Sequence, residues 1–594
     1  MLRLHRAGPD LRLRLGNLYR RIITVKLFRT HAALLAGLLA SAVPALAQTD
    51  PAIDPGAYLA ARSAAGASDF AVAATYYGQA LVADPQNPTL LENAIIAQVA
   101  LGRFDLAIPI AMTMRDAGMD SQVANMVLIA DAVLRDDWTE VVAGFEAGHT
   151  VSPLFDGLVQ SWAAVGLGNM TDALADFDLV IGTEGMAAYG LFHKAMALAS
   201  VGDYEGADAI LADPGPGATA FSPRAAIAHA QILSQLGRDG DAAAVLSDAF
   251  GDTLDPGIVE LQAQLAADET VPFDIVANPK QGIAEVAFMI ASLLSNEARE
   301  DYTLQYARMA QTLAPANIDA VMLTAALLQA MQRYDLASDA YAQVPQDDPS
   351  FIAAELGRVD TLRRSGRDEA AIEVAQALAR SAPDLPFVQQ KLADVLRDSG
   401  DLKGAFNAYG AALDLYPDSD PNRWVVYYTR AIVAHQLDDW PQAEADFRAA
   451  LALQPDQPQI LNYLGYSLVE RGEKLDEALG MIEKAVADQP DNGAIVDSLG
   501  WVYFELGRYR DAVDPLERAA ALEATDPIVN DHLGDAYWAV GRVREAQFQW
   551  QRALSFDPED DLAARIRAKL ADGLDAVRAA EGAPPIRVAD DPAQ

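Results

Sequence analysis

LQPDQPQILNYLGYSLVERG (453–472), DNGAIVDSLGWVYFELGRY (491–509) and DPIVNDHLGDAYWAVGR (526–542) say nearly the same thing three times, and a looser copy begins at Arg423. Aligned, the four copies put a small residue at Ala431, Gly465, Gly500 and Gly534, at intervals of 34, 35 and 34. An alanine follows twelve or thirteen residues on (Ala443, Ala478, Ala512, Ala546). A bulky residue comes four later (Phe447, Ile482, Leu516, Trp550), and then another alanine (Ala450, Ala485, Ala519, Ala553). Pro455, Pro490 and Pro558 close three copies, and in the third the proline slips to Pro527. Two antiparallel helices approach closely only where both carry small side chains, so the glycine and the first alanine mark a crossing. The bulky residue lies one turn along the same face and fills the space beside it. Proline cannot continue a helix, so each unit stops on schedule. The stretch therefore reads as helical hairpins.

Outward from it the same grammar loosens. Ala393, Ala405, Tyr409, Ala412 and Pro417 make a clean unit just upstream, preceded by a weak one at Ala370 and Val374. Earlier units fall at Ala325, Ala337 and Tyr341, and at Ala291, Ala310 and Pro315. Ala61, Ala73, Tyr77, Ala80 and Pro85 open the series. Units around Ala107 and Phe145, then Trp162 to Phe177, Ala195 to Leu211, and Ala230 to Ala249 follow. This makes about fourteen units. They fall into a degenerate array over 48–256 and a second array over 284–560. Residues 257–283, with Pro272 and Pro279, break the pattern and read as a linker, an irregular insertion or a degenerate repeat. Leu562 to Arg578 reads as one closing helix, with Leu562, Ile566, Leu570 and Leu574 on one face and Arg565, Arg567 and Lys569 elsewhere. It is expected to cap the exposed face of the last hairpin over 561–581. The tail 582–594, with Pro584 and Pro585, reads as disordered.

The 594 residues carry a formal charge of −40, and the first 47 hold eight of the 44 Lys/Arg and one of the 84 acids. From residue 48 on, 36 basic against 83 acidic residues leave −47. Such a surface repels nucleic acid and anionic lipid and favours cationic or apolar protein segments. There is no cysteine, so disulfides, thiolate nucleophiles and thiolate metal sites are excluded. Residues 1–47 combine a basic region, the apolar run HAALLAGLLASAVPALA and an Ala45-Leu46-Ala47 end, the grammar of a secretory signal peptide. Its removal would leave no membrane span, and export from a Gram-negative cytoplasm leads to the periplasm.

No catalytic constellation appears. His149, His193, His229, His435 and His532 lie in separate units without metal-ligand spacing, and GPG at 215–217 reads as a turn rather than a phosphate loop. No enzyme activity, metal or cofactor is expected. The remaining candidate is the inner face of the first helices, at positions three before, one after and four after each small residue. It comprises Tyr428, Ile432 and His435; Asn462, Tyr466 and Val469; Asp497, Trp501 and Phe504; and Asp531, Asp535 and Trp538. Aromatics beside carboxylates and an amide are what a peptide-binding surface requires. The alternative is that Tyr466 and Phe504 in particular pack between hairpins.

The three quoted strings resemble a family of exported alphaproteobacterial tetratricopeptide-repeat (TPR) proteins. The resemblance covers roughly residues 423–558 in detail and the layout of the rest. It implies an all-α TPR solenoid, a superhelix of helix-turn-helix repeats with a C-terminal capping helix. More distantly the layout is similar to TPR adaptor lipoproteins of carboxy-terminal processing proteases, although their lipidated cysteine is missing. The resemblance implies a periplasmic scaffold binding proteins or peptides, with a processing protease as a partner; the alternative is a component of envelope polysaccharide or protein export. The TPR clamp for a C-terminal carboxylate needs lysines where this chain has none, and only Asn462 fits it.

Overall fold

The computed structural model describes residues 55–213, 223–251, 255–267, 269–583 and 586. The leader, the GPG turn and most of the tail lie outside the described residues. Among these residues there are 31 helices and no strand, as the repeat grammar requires. None of the helices is long and apolar enough to cross a membrane. Two compact units divide within the helix Asp368–Ser381, between residues 374 and 375.

The second unit stacks hairpins whose first (A) helices are Pro386–Ser399, Arg423–Gln436, Pro458–Glu470, Gly493–Glu505 and Pro527–Ala539. Their crossings realise the spacing. A Cβ on Gly465 would sit 2.9 Å from Ile482, and one on Gly534 would sit 2.5 Å from the Trp550 ring. Ala478, Ala512 and Ala546 are fully buried opposite. Capping follows from sequence as well: Asn492 accepts the backbone N–H of Ile495, and Asp526 accepts those of Ile528 and Val529. Neighbouring repeats are tied on the other flank by Tyr503 donating to Glu483 (3.1 Å) and Tyr537 donating to Glu517 (2.7 Å). Arg508 and Arg542 lie over those two rings.

The expected single closing helix is two. Asp560–Asp572 ends at Gly573, and a second helix, Leu574–Ala580, turns back from it. Gly573 has φ 84, and its missing Cβ would lie 2.7 Å from the Trp538 ring, so no other residue turns the chain here without strain. Ile566 and Leu574 are buried as expected, but so is Lys569, which the helical pattern had set outside.

The first unit begins with six hairpins, from Pro55–Gly66 with Phe70–Ala83 to Pro223–Gln235 with Asp239–Phe250. The stretch 257–283 then does something the sequence did not announce. Helix Pro256–Ala266 packs on Asp239–Phe250, and residues 269–278 are tied along Pro223–Gln235 by Gln231 to Asp274 (2.7 Å) and Gln235 to the Val271 carbonyl (2.6 Å). The next hairpin, Pro279–Leu294 with Glu300–Leu313, packs against the A helices Pro88–Ala100, Gln122–Leu134, Pro153–Gly166 and Ala187–Ser200. It fills the inner face of its own array. Gly282 makes this possible, because any side chain there would run into the Trp162 indole. Arg308 donates to the Ala100 carbonyl at 3.0 Å, at the C-terminal end of a helix whose dipole favours a cation. Arg224 grips the buried Glu285 with two hydrogen bonds of 2.5 and 2.8 Å. Hence 257–283 joins the first array to a hairpin inserted in it, and the compact units separate about 90 residues later than the repeat grammar indicated.

Trp162 also fixes a histidine. Its Nε1–H donates to His193 Nδ1 at 3.1 Å, so the neutral ring carries its proton on Nε2. Burial pulls His193 down to about 3. The unfolded chain takes up this proton near the ordinary value of about 6.5 while the folded chain refuses it, so stability is complete above that pH and declines below it. Between about pH 6.5 and 3 the first unit is expected to lose about 1.4 kcal/mol per pH unit through this residue. Urea titrations at pH 7, 6 and 5 on the protein and on His193→Gln isolate it from the carboxylates. Parallel pH dependence in the two would refute the assignment.

Candidate functional site

The inner face of the second unit is built by the A helices, and at its C-terminal end packing uses almost every side chain the sequence offered as a binding surface. Asp497 is fully buried, its carboxylate 2.9 Å from His532 Nδ1 on the next repeat. The Trp501 ring lies flat on His532 at 4.0 Å and on Phe504 at 4.9 Å, and Trp501 is only 2% exposed. Asn462, Tyr466 and Val469 are buried as well. His435 is buried between the Trp440 ring at 5.5 Å and Tyr463, whose hydroxyl is 3.4 Å from Nδ1. The expectation of exposed aromatics and carboxylates is therefore corrected for His435, Asn462, Tyr466, Asp497, Trp501, Asp531 and Asp535. Successive A helices lie close enough that positions three before and one after the small residue interdigitate with the neighbouring repeat.

Asp531 and Asp535, one turn apart, meet Lys569 of the closing helix. Nζ stands 2.7–2.8 Å from the carboxylate oxygens of both, and all three side chains are buried. Arg565 approaches the same pair at 3.6 and 3.8 Å, and Trp550 Nε1 donates to Asp535 at 2.9 Å. Burial raises the Asp531 carboxyl above the ordinary carboxylate range, while at Asp535 burial is outweighed by Lys569 and Arg565, which hold it below. Trp538, half-buried, donates its Nε1–H to Asp575 at 2.9 Å. The sequence missed Lys569, Arg565 and Arg578 as partners. An i, i+4 pair of aspartates on a face due to be covered was the available signal.

Toward the N-terminal end of this unit the face is more open. Tyr428 is half-buried, its ring 6.0 Å from Phe447 and 6.3 Å from Tyr463. Ile432 beside it is also partly accessible, as are Gln390, Asp394 and Arg397 on the preceding A helix, where Phe387 is 44% exposed.

A family model described as tetratricopeptide repeat matches residues 58–118, 428–474 and 470–527. A TPR repeat-containing protein of Pseudomonas aeruginosa is 36% identical over 181 residues, 30% of this chain and 29% of that protein. Tetratricopeptide repeat protein 13 of Homo sapiens is 26% identical over 176 residues, 29% of this chain and 20% of its own length. The matched stretch thus spans less than a third of either relative. Among solved structures, the anaphase-promoting-complex assembly Cut9–Hcn1 aligns over 87% of this chain and 96% of its own, with 14% identity and a TM-score of 0.35. The repeat period, the crossing residues and the family model agree: the chain folds as an all-α solenoid, and residues 58–118 and 428–527 of it match tetratricopeptide repeats.

Proposed function

We propose that the protein is a non-catalytic adaptor of the periplasm that holds partner proteins or peptides on the inner face of its second unit and brings substrates to an envelope protease. A protein-binding scaffold is what tetratricopeptide repeats provide. The signal-like leader supports the compartment, and the resemblance to protease adaptors supports the protease. One contrast carries the choice of surface. In the first unit the inner face is filled by the chain's own hairpin, whereas Phe387, Gln390, Asp394, Arg397, Tyr428 and Ile432 keep accessible area on the second unit's first two A helices. An exposed aromatic flanked by an amide, a carboxylate and a guanidinium suits side-chain and backbone recognition of an extended or helical segment.

The test is a crosslinked pull-down from periplasm with the protein and a Phe387→Ala, Tyr428→Ala variant. Partner recovery is expected to fall about tenfold, the consequence of losing about 1.4 kcal/mol at an aromatic anchor. Equal recovery by a folded variant would sink this surface. A processing protease absent from the recovered set would remove the protease role.

A further inference from the structure

The inner face at the Gly500 and Gly534 repeats is already occupied, and its occupant shows what it takes. After Gly573 the helix Leu574–Ala580 lies back against the A helices Gly493–Glu505 and Pro527–Ala539. Leu574 is fully buried and belongs to the core that includes Trp501 and Phe504. Val577 and Arg578 are each less than a tenth exposed. The Arg578 guanidinium lies 5.5 Å from the centre of the Phe504 ring and 3.6 Å from Glu505. Trp538 closes the other side with its hydrogen bond to Asp575. An aliphatic residue, a second one three later and an arginine next to it form one helical stripe, read by an aromatic floor and a carboxylate.

This occupant is short and hinged. It has seven residues, about two turns, too few to hold a helix alone in water. Its outer tie runs from Arg565 to Glu581 (2.7 and 3.2 Å), a carboxylate that is itself exposed to water. The hinge is a glycine. Its neighbour Asp560–Asp572 is anchored differently, by Lys569 wholly buried between two carboxylates. Opening of the return helix alone, with the closing helix left in place, would expose Phe504, Trp538 and Glu505.

We infer that this face is a docking surface for a basic amphipathic helical segment of a partner protein, carrying the same aliphatic-x-x-aliphatic-Arg stripe, and that Leu574–Ala580 is its internal competitor. The inference rests on the scaffold reading only for the existence of such a partner. The net charge of −47 beyond the leader favours a basic competitor over an acidic one.

The probe is a labelled synthetic peptide of residues 573–583, followed by fluorescence anisotropy. A chain ending at Gly573 retains the closing helix and is expected to bind the peptide at least about tenfold more tightly than the full chain does. Glu505→Lys in the shortened chain is expected to remove that gain. Arg578→Glu in the full-length protein sets like charges together and is expected to raise peptide binding in the same direction without shortening anything, so it decides the matter if the shortened chain fails to fold. Equal binding by the full chain and by either opened form, or no binding to a form with an intact melting transition, overturns the inference. Peptide capture needs no cellular partner and no residue of the Phe387–Tyr428 surface. It can therefore succeed where the pull-down fails, and fail where the pull-down succeeds.

Discussion

Lys569→Ala is expected to destabilise the second unit by about 3–5 kcal/mol, the range for removing one member of a buried ion pair. The ammonium is fully buried and accounts for four contacts of 2.7–2.8 Å to Asp531 and Asp535. Without it two carboxylates stay buried on adjacent turns, with Arg565 no nearer than 3.6 Å. Trp550 and Trp538 flank the site, so tryptophan fluorescence during urea unfolding reports on it. The cost comes from stranded charge rather than from loss of a strong bond. The triple change Lys569→Met, Asp531→Asn, Asp535→Asn is accordingly expected to recover most of it. A loss below about 1 kcal/mol for Lys569→Ala would mean that water reaches the site, contrary to the burial.

Gly282→Ala is expected to cost the first unit about 3 kcal/mol, at the upper end for overpacking a core. On an exposed helix the same change would gain about 1 kcal/mol, so the sign of the effect reports the contact. The new methyl group would run into the indole of Trp162, which is fully buried, packed edge-on against Phe177 and held by His193. The cheapest relief is partial withdrawal of the inserted hairpin. Hydrogen exchange is therefore expected to rise along Pro279–Leu294 and Glu300–Leu313 before the flanking repeats respond. Trp162→Phe in the same chain vacates part of the space and is expected to return some of the lost stability. Unchanged exchange in the hairpin would refute the contact as its anchor.

What each stretch revealed depended on how local its interactions are. Gly465, Gly500 and Gly534 met Ile482, Leu516 and Trp550 within single hairpins, and the spacing alone announced this. The stop at Gly573 was also legible, since glycine after a helical run is the usual terminator, but the leucine stripe through Leu570 and Leu574 hid it. Arg308, by contrast, finds the Ala100 carbonyl 208 residues away, and Lys569 finds Asp531 and Asp535 across 38 and 34 residues. Helix Glu300–Leu313 contains Thr303, Gln305, Arg308 and Gln311, all buried, so polar composition there does not mark a solvated side.

The inner-face residues show the same division at the scale of one side chain. Periodicity assigned Asp497, Trp501, Asp531 and Asp535 to one face of their helices, because 3.6 residues per turn is a local property. It did not indicate what would lie over that face. His532 came from the next repeat and Lys569 from the closing helix, and they turned an apparent surface into a core.

The sequence by itself determined the repeat, the hairpin crossings, the acidic charge and the lack of cysteine chemistry, since these follow from spacing and composition. Tertiary structure alone decided which inner faces are filled, which carboxylates are neutralised and where accessible area remains. A side chain's burial depends on groups that the chain brings back from tens or hundreds of residues away, and no local period encodes that return.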